Sequence, residues 1–377
     1  MILMPHSDYG RVGFVLGSGG LAECLPQSVQ VGRVLKAGIK PDYINGESGG
    51  GLVGLDLEKA FAILKNYFYS PWTIYDLNPE IEAIIDKVLR GIPKSPFHKH
   101  ESWRDLWRDF ETQSYNAKQV VSLVFRILHS IPTLPGDIKP SPQDFSPLWQ
   151  ELTKELRDSG LVRVKNIFDP APLAKTLSKV LDLKKIMEQD AAFHILVCSG
   201  AEEHIFSTGK ILPAEYLPRM RVPLHEIASE EQLLSAVMAS SAVRPYFPPV
   251  NINGTYYWDV GGVNPLPVQY AIDAGCDTIF VFVKNYWNFE SNLEASIAES
   301  FIEEGDKKTR KIFIDTHEKI FLRKEENIKI HFIYPQTLHP DLELLWVSPE
   351  AIEHTLKIET EATDKWLKDN LNIDVKD

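Results

Sequence analysis

Asn45-Gly46-Glu47-Ser48-Gly49-Gly50 (NGESGG, residues 45–50) contains G-x-S-x-G, the pattern of a serine carried on a sharp turn between a strand and a helix. Such a turn needs an apolar strand before it, a helix after it, backbone donors nearby and a base elsewhere in the chain. Upstream, Val12-Gly13-Phe14-Val15-Leu16 is an apolar run ending in Gly17-Ser18-Gly19-Gly20, which reads as a buried parallel strand entering a glycine-rich loop. Proline is tolerated in a first helical turn, so Pro26 predicts a helix over about residues 26–37, stopped by Gly38. Residues 39–45 read as a second strand, and Gly49 onward, through LVGLDLEKAFAIL, as a second helix. This is the opening of an α/β sheet.

The 377 residues can bury a large core, either one large domain or a core with an inserted subdomain. A net charge of -12 with few basic clusters argues against nucleic acid and against electrostatic recruitment to a membrane, so any lipid contact has to be apolar. Cys24, Cys198 and Cys276 are odd in number and widely spaced, which suggests buried thiols in a reducing compartment rather than disulfides or a metal site. No cationic leader and no apolar run of membrane-spanning length is present, and the expectation is a cytoplasmic, soluble protein.

From about residue 67 to 165 the chain turns to amphipathic helices. Ile81, Ile84, Ile85, Val88 and Leu89 form one apolar stripe and Trp103, Leu106, Trp107 and Phe110 another, both expected to face a core. The α/β pattern resumes at His194–Cys198 and continues through a helix in EEQLLSAVMASSAV (230–243), strands at 278–283 and 328–334, and a C-terminal helix opened by Ser348-Pro349. The expected fold is α/β, a mostly parallel sheet flanked by helices with a helical insertion. It forms a single domain over 1–377: core 11–66 and 190–285, insertion 67–189, and a C-terminal strand and helix extension 286–377.

The glycine-rich loop has two uses. Gly17-x-Gly19-x-x-Ala22 satisfies a dinucleotide fingerprint, but that motif wants a helix opening at the loop and an acid at the end of the second strand, whereas Pro26 delays the helix and Asp42 sits at the strand's start. The other use is an oxyanion hole, in which glycines let backbone N–H groups face a small anion. Gly46 and Gly50 leave space where the arms of the Ser48 elbow nearly touch. For the base, His317, His331, His339 and His354 lie in charged helical or loop contexts and read as solvated surface residues. Asp259 is the better candidate, after a buried strand in GTYYWDVGGVNPLP (254–267), itself preceded by ASSAVRPYFPPV (239–250).

With these stretches together, the chain resembles the patatin-like phospholipases, whose motifs are a glycine-rich loop, a G-x-S-x-G elbow soon after, A-S-x-A-x-P-x-x-F-P-P, and an aspartate before glycines and N-x-P. The motifs stand in the family's order over about 11–66 and 190–285. The resemblance implies a dyad of Ser48 as nucleophile and Asp259 as base, with the N–H groups of Gly17, Ser18, Gly19 and Gly20 as oxyanion hole. No histidine, metal or nucleotide takes part. It implies hydrolysis of acyl esters of phospholipids and other lipids through an acyl-enzyme. The chain departs from the family pattern at Ala22, where an Arg or Lys is usual, in extra residues before the first helix, and at Val260, usually Gly. Two rival functions are a catalytically silent patatin-fold module whose insertion binds a partner, and an NAD(P)-binding oxidoreductase. The aromatic cluster of residues 66–79, with Trp72 and Tyr75 beside Pro71, reads either as core packing or as an apolar lip for transient contact with a membrane or micelle.

Overall fold

A computed structural model describes residues 9–17, 21–67, 76–77, 83, 168–210, 212–243, 247–261, 264, 266–283, 328–336, 342–343, 346–347 and 349–375. The chain divides into two compact units. The larger comprises Met1–Ile74, Pro170–Val243 and Pro249–Asp377. The other comprises Tyr75–Asp169 and Arg244–Pro248. The stripes at 81–89 and 103–110, and Trp72 and Tyr75, lie outside the described residues apart from Ala83.

The strands are β1 (Val12–Leu16), β2 (Tyr43–Glu47), β3 (Asp76–Leu77), β4 (Phe168–Asp169), β5 (Ala192–Ser199), β6 (Glu202–Gly209), β7 (Leu224–Glu226), β8 (Val250–Ile252), β9 (Thr255–Tyr257), β10 (Thr278–Phe282), β11 (Lys329–Ile333), β12 (Leu342–Glu343) and β13 (Trp346–Val347). The helices are α1 (Leu21–Lys36), α2 (Gly49–Leu55), α3 (Ala60–Tyr67), α4 (Ala171–Val180), α5 (Leu183–Met187), α6 (Glu230–Ser240), α7 (Val268–Asp273) and α8 (Pro349–Leu371). In the larger unit, seven strands form one sheet in the order β11-β10-β1-β2-β5-β6-β7. All neighbouring pairs are parallel except β5–β6. The mostly parallel α/β sheet read from the apolar runs is therefore the observed fold.

Register explains the two cores. On one face His331, Phe280, Phe14, Ile44 and Phe193 stand in a row across five strands. Trp366 of α8 covers that row edge-on, at 6.4 Å from Phe280 and 5.7 Å from His331. Helix α8 is tied to α1 by Gln30 donating to Glu359 at 2.8 Å and by Arg33 donating twice to Asp364, at 2.7 and 2.6 Å. The opposite face carries Val15, Val281, Leu196 and Ile205 under the segment from Val260 through α7 to Cys276. Cys24, Cys198 and Cys276 are buried and in no disulfide among the described residues.

Several boundaries differ from expectation. Helix α1 opens at Leu21, directly after the loop, with Pro26 inside it, so no extra residues separate the two. In the second turn Pro26 forfeits only the bond to the Ala22 carbonyl, one of the first in the helix, and the buried apolar face downstream outweighs that loss. Strand β2 runs 43–47 rather than 39–45, because the Asp42 carboxylate accepts from Val12 N–H at 2.8 Å and fixes where pairing begins. The helix after the elbow is two helices, broken at Asp56, whose carboxylate accepts from Lys59 N–H at 3.2 Å. His331 is not a solvated loop residue; it lies on β11, its ring stacked 5.0 Å from Phe280, and burial pushes its imidazole down. His354 is exposed on α8, and His317 and His339 lie outside the described residues. No helix among the described residues is long and apolar enough to cross a membrane.

One buried group makes stability depend on pH. His194 is wholly enclosed, its Nδ1 sharing a 3.0 Å hydrogen bond with the Tyr43 hydroxyl, and burial, helped by Arg11, pushes it down to about 3. An unfolded histidine titrates near about 6.5, so protonation favours unfolding; this contribution to stability is complete above that pH and is lost as pH falls toward the folded value. Between about pH 6.5 and 5 the loss is about 2 kcal/mol. Urea unfolding at the two pH values should show wild type losing about that much more than His194→Gln, which retains an acceptor for Tyr43. Equal losses would contradict the assignment.

Candidate active site

The C-terminal ends of β1, β2 and β5 form one edge of the sheet, the place where open α/β sheets bind ligands. Ser48 emerges there from β2 with φ 52 and ψ -126, a conformation that costs a side-chain-bearing residue about 1–3 kcal/mol. The turn is a strand-to-helix elbow: the Ser48 carbonyl accepts from Gly51 N–H at 3.1 Å to start α2, and the side chain makes no capping bond to the helix. A Cβ on Gly46 would stand 2.6 Å from the Gly50 carbonyl oxygen, and one on Gly50 would stand 2.4 Å from Leu16 O and 2.7 Å from Gly17 O. Both glycines are therefore demanded by close approach, and the second presses the elbow against the base of the glycine-rich loop.

At that base, Gly17 N–H donates to Phe282 O at 3.4 Å, while Gln27 of α1 donates to Gly17 O at 3.1 Å and Phe282 O at 3.2 Å. Gln27 is a site residue that sequence reading missed, since an amide in an apolar stretch of helix gives no sign of what it reaches. Ser18, Gly19 and Gly20 lie outside the described residues.

Asp259 arrives by another route. It follows a short hairpin of β8 and β9, not a buried strand of the sheet; Tyr256 on β9 is 54% exposed. Trp258 then exchanges two backbone hydrogen bonds of 2.9 Å with Cys198 at the end of β5, and the Cys198 thiol donates to Asp259 O at 3.3 Å. Glu47 pairs with Leu196, so Ser48 leaves β2 beside Val197, and Trp258, directly before Asp259, bridges the next residue of β5, Cys198. The two are also held by one helix end. Ser48 N–H donates to Ser240 Oγ at 2.9 Å, and Asp259 N–H donates to Ala242 O at 3.2 Å.

The chain after Asp259 is closed by its own bonds. Gly261 N–H donates to Asp259 Oδ1 at 2.7 Å, and Asn264 N–H to Val260 O at 3.0 Å. Glu203 of β6 accepts from Asn264 Nδ2 at 2.9 Å and from the Tyr270 hydroxyl at 2.5 Å, and burial pushes the Tyr270 phenol up. Val260, where the family pattern has glycine, is fully buried in the core.

His204 stands opposite Val197, at the level of Ser48. It is two strands away, roughly 10 Å, and its Nδ1 bonds His225 Nε2 at 3.0 Å. Among the described residues no group of three His, Cys, Asp or Glu side chains could hold a metal ion. Neither sequence objection to a dinucleotide survives, since α1 opens at the loop and β2 ends in an acid, Glu47. The Glu47 side chain is instead fully buried, so no carboxylate is presented there to a ribose.

Among solved structures, twelve chains match. They include the crystal structure of VipD from Legionella pneumophila, 13% identical over 96% of this chain and 67% of that one, with a TM-score of 0.35. No curated protein matches. The family model described as patatin-like phospholipase matches residues 14–272, a span that holds the glycine-rich loop, the elbow, the end of α6 and the Asp259 loop. The chain belongs to the patatin-like phospholipase family.

Proposed function

We propose that the protein is a serine acyl hydrolase that cleaves carboxylic esters of lipids, with Ser48 as nucleophile and Asp259 as general base. The observation that carries this reading is the convergence of the strained Ser48 elbow and the Asp259 loop on one helix end, through Ser240 and Ala242. The Asp259 carboxylate takes the Ser48 hydroxyl proton as Oγ adds to the ester carbonyl. N–H groups of the loop from Gly17 to Gly20 stabilise the oxyanion, the alcohol leaves with the proton, and water then releases the acid from the acyl-enzyme. The core segments 11–66 and 190–285 supply every residue of this mechanism. No side chain of another titrating class is required.

Release of acid from a soluble short-chain ester tests this. Ser48→Ala and Asp259→Asn should each lose at least about a thousandfold in kcat, and the double variant should be little worse, because the two act as one unit. Retention of more than a tenth by either single variant would sink the dyad. A carboxylate base stays ionised at mildly acidic pH, so the wild-type rate should persist to about pH 5.5; an imidazole base would lose roughly tenfold per unit below about 6.5. His204→Gln should leave that profile unchanged.

A second measurement addresses substrate class. Residue 22 is alanine, so the loop offers no cation there to a phosphate. Diacylglycerol and phosphatidylcholine with identical acyl chains, presented in the same mixed micelles, should then be hydrolysed at rates within about tenfold of each other; a charge-assisted contact to phosphate would open a wider gap. A preference for the phospholipid of a hundredfold would contradict this.

A further inference from the structure

Ser240 is the last residue of α6 and wholly buried, out of reach of a substrate. Its Oγ accepts the backbone N–H of Ser48 at 2.9 Å. Ser48 carries the positive φ of 52 among the residues of the elbow, and that conformation aims its N–H away from its own strand and helix and toward α6. Two residues beyond Ser240, the Ala242 carbonyl accepts from Asp259 N–H at 3.2 Å. The helix that presents both acceptors is itself fixed. Ser229 caps it by accepting from Gln232 N–H at 3.2 Å, and Leu233, Ala236 and Val237 are buried. The elbow borders the same point, since a Cβ on Gly51 would meet Ser240 Oγ at van der Waals distance, 3.4 Å.

We infer that Ser240 is a positioning residue: its hydroxyl holds the elbow in its strained conformation and sets the placement of Ser48 against Asp259, whose own N–H is fixed two residues further along the same helix end. This rests on the reading of Ser48 and Asp259 as nucleophile and base. Without the hydroxyl, the buried Ser48 N–H loses the acceptor that holds it toward α6, and the Glu47–Ser48 peptide gains by rotating toward a relaxed conformation. That rotation swings the serine oxygen from its aim at the base, and misplacement by about an ångström costs up to about a hundredfold in rate. The neighbouring Ser241 is the internal control. Among the described residues its buried Oγ has no hydrogen-bond partner, while its backbone N–H donates to Val237 O at 3.0 Å.

The test compares wild type, Ser240→Ala, Ser240→Cys, Ser241→Ala and Ser48→Ala. Each is assayed well below its own melting transition for the rate of labelling by a soluble fluorophosphonate and for kcat and KM on a short-chain ester. Ser240→Ala should label at least about tenfold more slowly and lose kcat to match, with KM within about twofold and the pH profile unchanged in shape. Ser240→Cys keeps a weak acceptor and should fall between it and wild type; Ser241→Ala should behave as wild type. A structural role alone would lower the melting temperature of Ser240→Ala without slowing the labelling of the folded protein, and labelling at the wild-type rate would overturn the inference. If Ser240→Ala does not fold, Ser240→Cys decides on the same criterion. Undiminished labelling of Ser48→Ala would instead overturn the functional reading itself.

Discussion

Close contact between the elbow and the glycine-rich loop is the constraint on which the rest of the edge depends. Gly50 sits so near the carbonyls of Leu16 and Gly17 that one methyl group would collide with both. That contact requires β1 and β2 to be adjacent and parallel, so that two strand ends reach the same edge, and register delivers it, with Leu16 opposite Gly46. The sheet's aromatic row, from His331 through Phe14 to Phe193, buries one face and fixes that register. Sliding β2 by one residue would turn Tyr43 and Asn45 into the wrong face and carry Ser48 away from α6.

The strained serine makes sense within this frame. A residue with a side chain at φ 52 persists where its surroundings over-determine it. Here the surroundings are a close-packed glycine pair on one side and a hydroxyl acceptor from α6 on the other. The Asp259 loop is constrained in parallel, bridged to β5 at Cys198 and clamped at Asn264 by Glu203. Both proposed partners are thus set by backbone hydrogen bonds to rigid elements, which suits chemistry that depends on placement.

Much of this was legible in the sequence, for identifiable reasons. Strands β1, β5 and β10 are buried on both faces, so they read as continuous apolar runs. The elbow and the Asp259 loop were legible through their glycines, since close approach leaves few other residues able to stand there. Errors fell where a local rule met tertiary packing. Pro26 set the start of α1 too late, because a proline near a helix start costs one bond and a buried helix face outweighs it. β6 went unread because its sequence, EEHIFSTG, pairs antiparallel beyond β5 and is half polar. The roles of Ser240 and Gln27 were invisible for a different reason, since each is a hydrogen bond between residues 192 and 10 positions apart, and no periodicity records such a pair.

The central claim is that Ser48 carries the acyl group. Mixing the wild-type protein with a slowly deacylated activated ester, quenching in acid during turnover and mapping the digested chain by mass spectrometry tests it most directly. The account predicts one acyl adduct, on the peptide that contains Ser48. Turnover with the adduct on any other residue, or with none trapped while acid is released in a burst, would contradict it.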